Sequence, residues 1–139
     1  MKKSTLVQAH PRRIRQIRAE VVCTEKFALL SPWAQLAIIK LPICSDKNGT
    51  FVWLPRTLKS WLFPFDEMDF DAVLDELLKH GYVTKFTVEG VCYGSVTDFE
   101  EHQYINPKES EKSAVYPEPS TGMTPAPSRD VPGALPAPQ

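Results

Sequence analysis

No apolar run in this chain of 139 residues approaches the roughly 20 residues that a membrane-spanning helix needs. The basic N-terminus has no apolar stretch behind it, which argues against a secretory signal. Cysteine is scarce. Cys23, Cys44 and Cys92 are odd in number and far apart, which argues against a disulfide scaffold and suits a reducing, cytosolic setting. Glycine is scarce as well, with 6 in the chain and no glycine-rich phosphate loop. The three histidines (His10, His80, His102) and three cysteines form no CxxC, no HExxH and no paired ligand spacing. No catalytic residue, metal site or cofactor is therefore expected, although a Cys–His pair that meets only in space stays open. Neither charge dominates: 16 Lys and Arg face 17 Asp and Glu, for a net charge of -1, and a pI near 6.3 excludes a generally basic protein.

What charge there is, is unevenly placed. Residues 1–18 hold Lys2, Lys3, Arg12, Arg13, Arg15 and Arg18, with no acid before Glu20. Such an arm suits nucleic acid or an acidic protein surface, or is simply solvated. Proline is placed just as unevenly, with eight of the 13 between Pro107 and Pro138. A tail of that composition buries too little apolar surface to offset its ordering entropy, so disorder is expected there. The expected division is a basic arm over 1–20, a folded domain over 21–106 and a proline-rich tail over 107–139. About 80 residues of core is near the lower end of what folds unaided.

Within the core, local signals order the elements. Thr24 suits the cap of a short helical turn through Leu30. Ser31-Pro32 opens a helix through Leu41 that is apolar on most sides and so expected to be central, with Pro42 kinking or closing it. Asp46-Lys47-Asn48-Gly49 is a turn, and Thr50 to Leu54 is a short strand. Leu54-Pro55 opens a second helix, with Leu58, Trp61 and Leu62 on one face and Phe63-Pro64-Phe65 ending it. Asp69 caps a third, whose Phe70, Val73, Leu74, Leu77 and Leu78 make one stripe and which Gly81 stops. Tyr82 to Val88 and Val91 to Val96 pair across Glu89-Gly90, and Phe99, His102, Tyr104 and Ile105 pack a last short segment. Helix, strand, helix, helix, strand, wing, strand is the order of a winged helix-turn-helix, an α+β fold.

These motifs resemble those of a family of small phage and prophage winged-helix proteins described as replication-associated or replisome-organiser-like. Ile17-Arg18, Thr24-Glu25-Lys26, Leu30-Ser31-Pro32, Asp46-Lys47-Asn48-Gly49 and Leu62-Phe63-Pro64-Phe65-Asp66 carry the resemblance. Leu74-Asp75-Glu76-Leu77 with Gly81, Phe99-Glu100-Glu101-His102-Gln103 and Asn106-Pro107-Lys108-Glu109 continue it, so that it spans about residues 14–110. It implies a winged-helix fold, a phage origin, a place in the host bacterial cytoplasm and a role in replication.

The helix that would read DNA starts with Asp69, Asp71 and Ala72 behind Asp66 and Glu67, and phosphates would repel it. Arg12, Arg13, Arg15, Arg18, Arg56 and Lys59 are therefore the candidate nucleic-acid contacts. Asp66, Glu67, Asp69, Asp71, Asp75 and Glu76 are a candidate face for a basic or nucleic-acid-binding protein, or acids that complement the helix dipole. The spacing of Asp66, Asp69 and Asp71 is not that of an EF-hand loop. Trp33, Trp53, Trp61, Phe63 and Phe65 are core by position, with one ring of Phe63-Pro64-Phe65 open to service as an exposed anchor. Three functions remain: a non-enzymatic protein acting on nucleic acid or its machinery in replication, a module that inhibits or recruits a host complex, and a transcriptional regulator. The last suffers most from a helix start without Arg, Lys, Asn or Gln.

Overall fold

Capping side chains and apolar stripes produce helices where the sequence places them. In a computed structural model, which describes residues 13–111, 114–118 and 124–125, the order is α1 (Ala19–Val22), α2 (Glu25–Ala28), α3 (Pro32–Cys44), β1 (Thr50–Val52), α4 (Pro55–Leu62), α5 (Phe70–Lys79), β2 (Val83–Val88), β3 (Val91–Val96), α6 (Phe99–His102), α7 (Pro107–Ser110) and a two-residue β4 (Thr124–Pro125). Thr24 Oγ1 accepts from Phe27 N at 3.1 Å, Ser31 Oγ from Ala34 N at 3.3 Å and Asp69 Oδ1 from Ala72 N at 3.2 Å. Each of these bonds gives a partner to a backbone N–H that the first helical turn leaves without one.

The architecture is mixed α+β. α3 packs on α4 and α5, α4 on α5, and α5 on β2. β1, β3 and β2 form an antiparallel sheet in that order, with Phe51 opposite Gly94 and Val88 opposite Val91. A Cβ at Gly94 would run into the Phe51 and Trp53 rings, so the missing side chain lets two stacked aromatics lie over the strand. The core joins Ala34, Ala37 and Leu41 of α3 to Leu58, Leu74, Leu77 and Val83. α3 is apolar apart from Gln35 and Lys40, and both turn to neighbouring carbonyls. Gln35 Nε2 donates to Phe27 O (3.1 Å) and Leu30 O (3.2 Å), and Lys40 Nζ donates to Leu62 O (2.8 Å).

Three outcomes differ from the sequence reading. α3 runs two residues past Pro42, and partners for its last carbonyls come from elsewhere, including Ser45 Oγ on Pro42 O at 2.7 Å. Chain contacts do not stop at 20 and 106. Gln16 N donates to Gln103 Oε1 (2.8 Å) and Gln103 Nε2 returns a bond to Gln16 O (2.9 Å), so residues 13–18 form a strap against the region of α6 and α7. Part of the proline-rich tail is also engaged, since Tyr116 N donates to Asp46 Oδ2 (3.0 Å) and β4 pairs with Phe86 and Thr87 of β2. Arg12 and the rest of 1–12, with 112–113, 119–123 and 126–139, lie outside the described residues, so most of the expected tail disorder concerns residues not described.

At the hairpin tip, Glu89 has φ 52° and Gly90 φ 82°, the two positive angles of a type I′ turn. A left-handed conformation is costly for glutamate and well tolerated by asparagine. Glu89→Asn is expected to raise the unfolding free energy by about 0.5–1 kcal/mol. A urea midpoint that stays level or falls would contradict this.

Candidate functional site

The carbonyl end of a helix attracts cations, and α3 ends beside the strap. Arg15 Nε donates to Pro42 O (3.0 Å), its Nη2 to Ser45 O (3.3 Å), and Arg13 Nη1 to Ile43 O (3.2 Å). Arg15 also forms a two-pronged pair with Glu109, with Nη1–Oε1 and Nη2–Oε2 both at 2.9 Å, and its guanidinium lies over the Phe99 ring. Its side chain is only 3% exposed. Arg18 Nε donates to His102 O at 3.1 Å, with Glu20 at 3.9 Å from its guanidinium. Of the other cations expected to touch nucleic acid, Arg12 lies outside the described residues. Lys59 Nζ donates to Asp66 O (2.7 Å) and Phe63 O (3.4 Å), while Arg56 is exposed in the first turn of α4. Arg13, Arg15 and Arg18 thus bind this chain's own carbonyls and carboxylates. Their type was readable in the sequence, but their partners, up to 94 residues away, were not.

The acids divide in the same way. Glu76 accepts from Ser31 N and Ser31 Oγ, both at 2.7 Å, so it ties α5 to the start of α3 rather than facing outward. Asp75 and Asp66 are half-buried, whereas Glu67, Asp69 and Asp71 are exposed around the start of α5. Phe63 and Phe65 part company. Phe63 is buried, edge-on to Trp33 at 5.5 Å and against Phe70 at 5.8 Å, whereas Phe65 is 95% exposed.

The remaining polar chemistry is muted. Cys44 is buried, and burial pushes its thiol up to about 12 against the opposing pull of Arg13, so little thiolate forms near neutrality. Burial also raises the Cys92 thiol and the Tyr82 phenol, the latter opposed by a hydrogen bond with the Thr24 side chain. A cavity of about 220 Å³ opens between the strap, α3 and α6, lined by Val22, Ile38, Ile39, Val96 and Phe99 with Arg18 and His102. Among the described residues no three His, Cys, Asp or Glu are placed to hold a metal ion, and no helix is long and apolar enough to cross a membrane. No protein-family model, no curated protein and no solved structure matches the chain.

Proposed function

We propose that the chain is a non-enzymatic winged-helix protein of the phage replication-associated kind, which docks a basic protein of the nucleic-acid machinery through the acids at the start of α5. The element order α3–β1–α4–α5–β2–β3, with β1 paired to β3, supports the winged-helix reading. One observation carries the choice of partner. Arg15 is buried and Arg13 half-buried in bonds to the protein itself, while Glu67, Asp69 and Asp71 stand exposed where a DNA-reading helix would meet phosphate. Such a module would inhibit or recruit a host complex by occupying a cationic surface. Direct DNA contact is the second reading. It is supported by the exposure of Arg56 and by the basic residues at 1–12, and it requires affinity that falls steeply with salt.

Two measurements on the full chain test the proposal. Fluorescence anisotropy with a 30-base-pair duplex at low salt is expected to show no saturable binding. Salt-sensitive binding that Arg56→Ala weakens would favour the second reading instead. Affinity capture from a bacterial host lysate is expected to retain a basic protein, and Asp69→Lys with Asp71→Lys is expected to abolish that capture. Undiminished capture by the reversed variant would exclude the acidic face.

A further inference from the structure

Given the acidic docking face proposed above, we infer that Phe65 is its apolar anchor, a ring presented on a preset loop to enter a hydrophobic recess of a cationic protein segment. At 95% exposure it leaves a large apolar ring in water, one step from the exposed Pro64 and two from the buried Phe63. Aromatic rings held in this way are the residues that dominate protein interfaces once a partner desolvates them.

The loop that carries it is held from both sides. Lys40 Nζ donates to Leu62 O at 2.8 Å and lies 4.2 Å from the Phe63 ring centre. Lys59 Nζ donates to Phe63 O and to Asp66 O, and Asp66 N donates to Phe63 O at 3.4 Å. Carbonyls before and after Phe65 are thus tied to α3 and α4. Little backbone freedom remains to be lost on binding, which favours affinity. The same bonds turn both lysines inward, so the chain around the ring shows water Glu67, Asp69 and Asp71, with Asp66 half-buried.

That charge selects the occupant. Phosphate chains and anionic lipid surfaces would be repelled, and a second copy would bring the same acids face to face. A cationic protein segment with apolar side chains satisfies both the ring and its rim.

The probe is a synthetic amphipathic helical peptide of lysine and leucine, compared with an equally charged peptide of lysine and serine, titrated into the full chain by NMR. Shifts are expected at 64–71, with the leucine peptide bound at least tenfold tighter than the serine peptide. Phe65→Ala is expected to erase that preference and to leave the urea midpoint unchanged. Asp69→Asn with Asp71→Asn, which keeps a good helix cap, is expected to weaken both peptides. A leucine preference that persists undiminished in Phe65→Ala, shifts confined to the cavity beside α6, or a Phe65-dependent dimer in sedimentation would each overturn the anchor. If the asparagine variant binds both peptides as tightly as the parent, the acidic face fails while the leucine preference still decides the anchor.

Discussion

Arg15→Ala is expected to lower the unfolding free energy by about 3–5 kcal/mol, because it removes the buried partner of a part-buried ion pair together with its bonds to two carbonyls. A domain of this size holds about 5–15 kcal/mol in total, so the variant would lose a large share of the stability of the fold. The magnitude follows from what the guanidinium does at once. It bonds two carbonyls at the end of α3, forms both prongs of the pair with Glu109 and covers the Phe99 ring, with 3% of its side chain exposed. Without it, the Pro42 and Ser45 carbonyls lose a charged donor at the negative end of the helix. Glu109→Ala is expected to cost less, about 1–3 kcal/mol, because Arg15 keeps its carbonyl partners. Arg15→Lys keeps the charge but loses the fork, and belongs between parent and alanine. Urea unfolding followed by tryptophan fluorescence measures all three. A loss under 1 kcal/mol for Arg15→Ala would mean that water substitutes for the pair.

That prediction changes what the N-terminal arginines are for. A chain trimmed to 21–106 keeps every helix of the α3–α5 core yet lacks Arg15, Gln16 and Glu109 together. It should be destabilised by at least as much as Arg15→Ala. A basic arm read from composition and a carbonyl-capping strap read from geometry use the same residues, and only the second gives Arg15 a cost when it is removed.

What the sequence made legible was local. Asp69, the stripe from Phe70 to Leu77 and Gly81 at φ 80° lie within 13 residues, and each acts on its immediate neighbours. The cap roles of Thr24 and Ser31 and the hairpin across Glu89-Gly90 are legible for the same reason. Pro42 stands in the last turn of α3, as its place in the sequence implies, and the two further residues are stabilised by Arg13 and Arg15 from another part of the chain. Glu76 also depends on a partner distant in sequence. A helix-surface acid has no signature that separates water from the Ser31 amide and hydroxyl it accepts from. The candidate sites were legible as residue types, and partners distant in sequence then decided which of those side chains stay available.

Asp46 carries the second large effect, and it separates the domain from its tail. The turn sequence Asp-Lys-Asn-Gly makes Asp46 an acceptor for the amides that follow it. Its Oδ1 takes Asn48 N at 2.9 Å and Thr50 N at 3.1 Å, and its Oδ2 takes Tyr116 N at 3.0 Å, with the residue 1% exposed. Asp46→Ala leaves three donors without an acceptor where water has little access, and is expected to cost roughly 3–5 kcal/mol. Asp46→Asn is the more discriminating change. One amide oxygen still serves Asn48 and Thr50, but the amide nitrogen turns a donor toward the Tyr116 donor. The expected cost is about 1–2 kcal/mol, and it should fall on the contact with the tail. Hydrogen exchange is then expected to show Tyr116 losing protection while Asn48 and Thr50 keep theirs. The Tyr116 ring, 5.8 Å from Tyr93, should leave the sheet together with its amide. Equal loss at all three amides would place the carboxylate's role in the turn alone. Unchanged protection at Tyr116 would mean that packing on Tyr93, rather than Asp46, holds the tail.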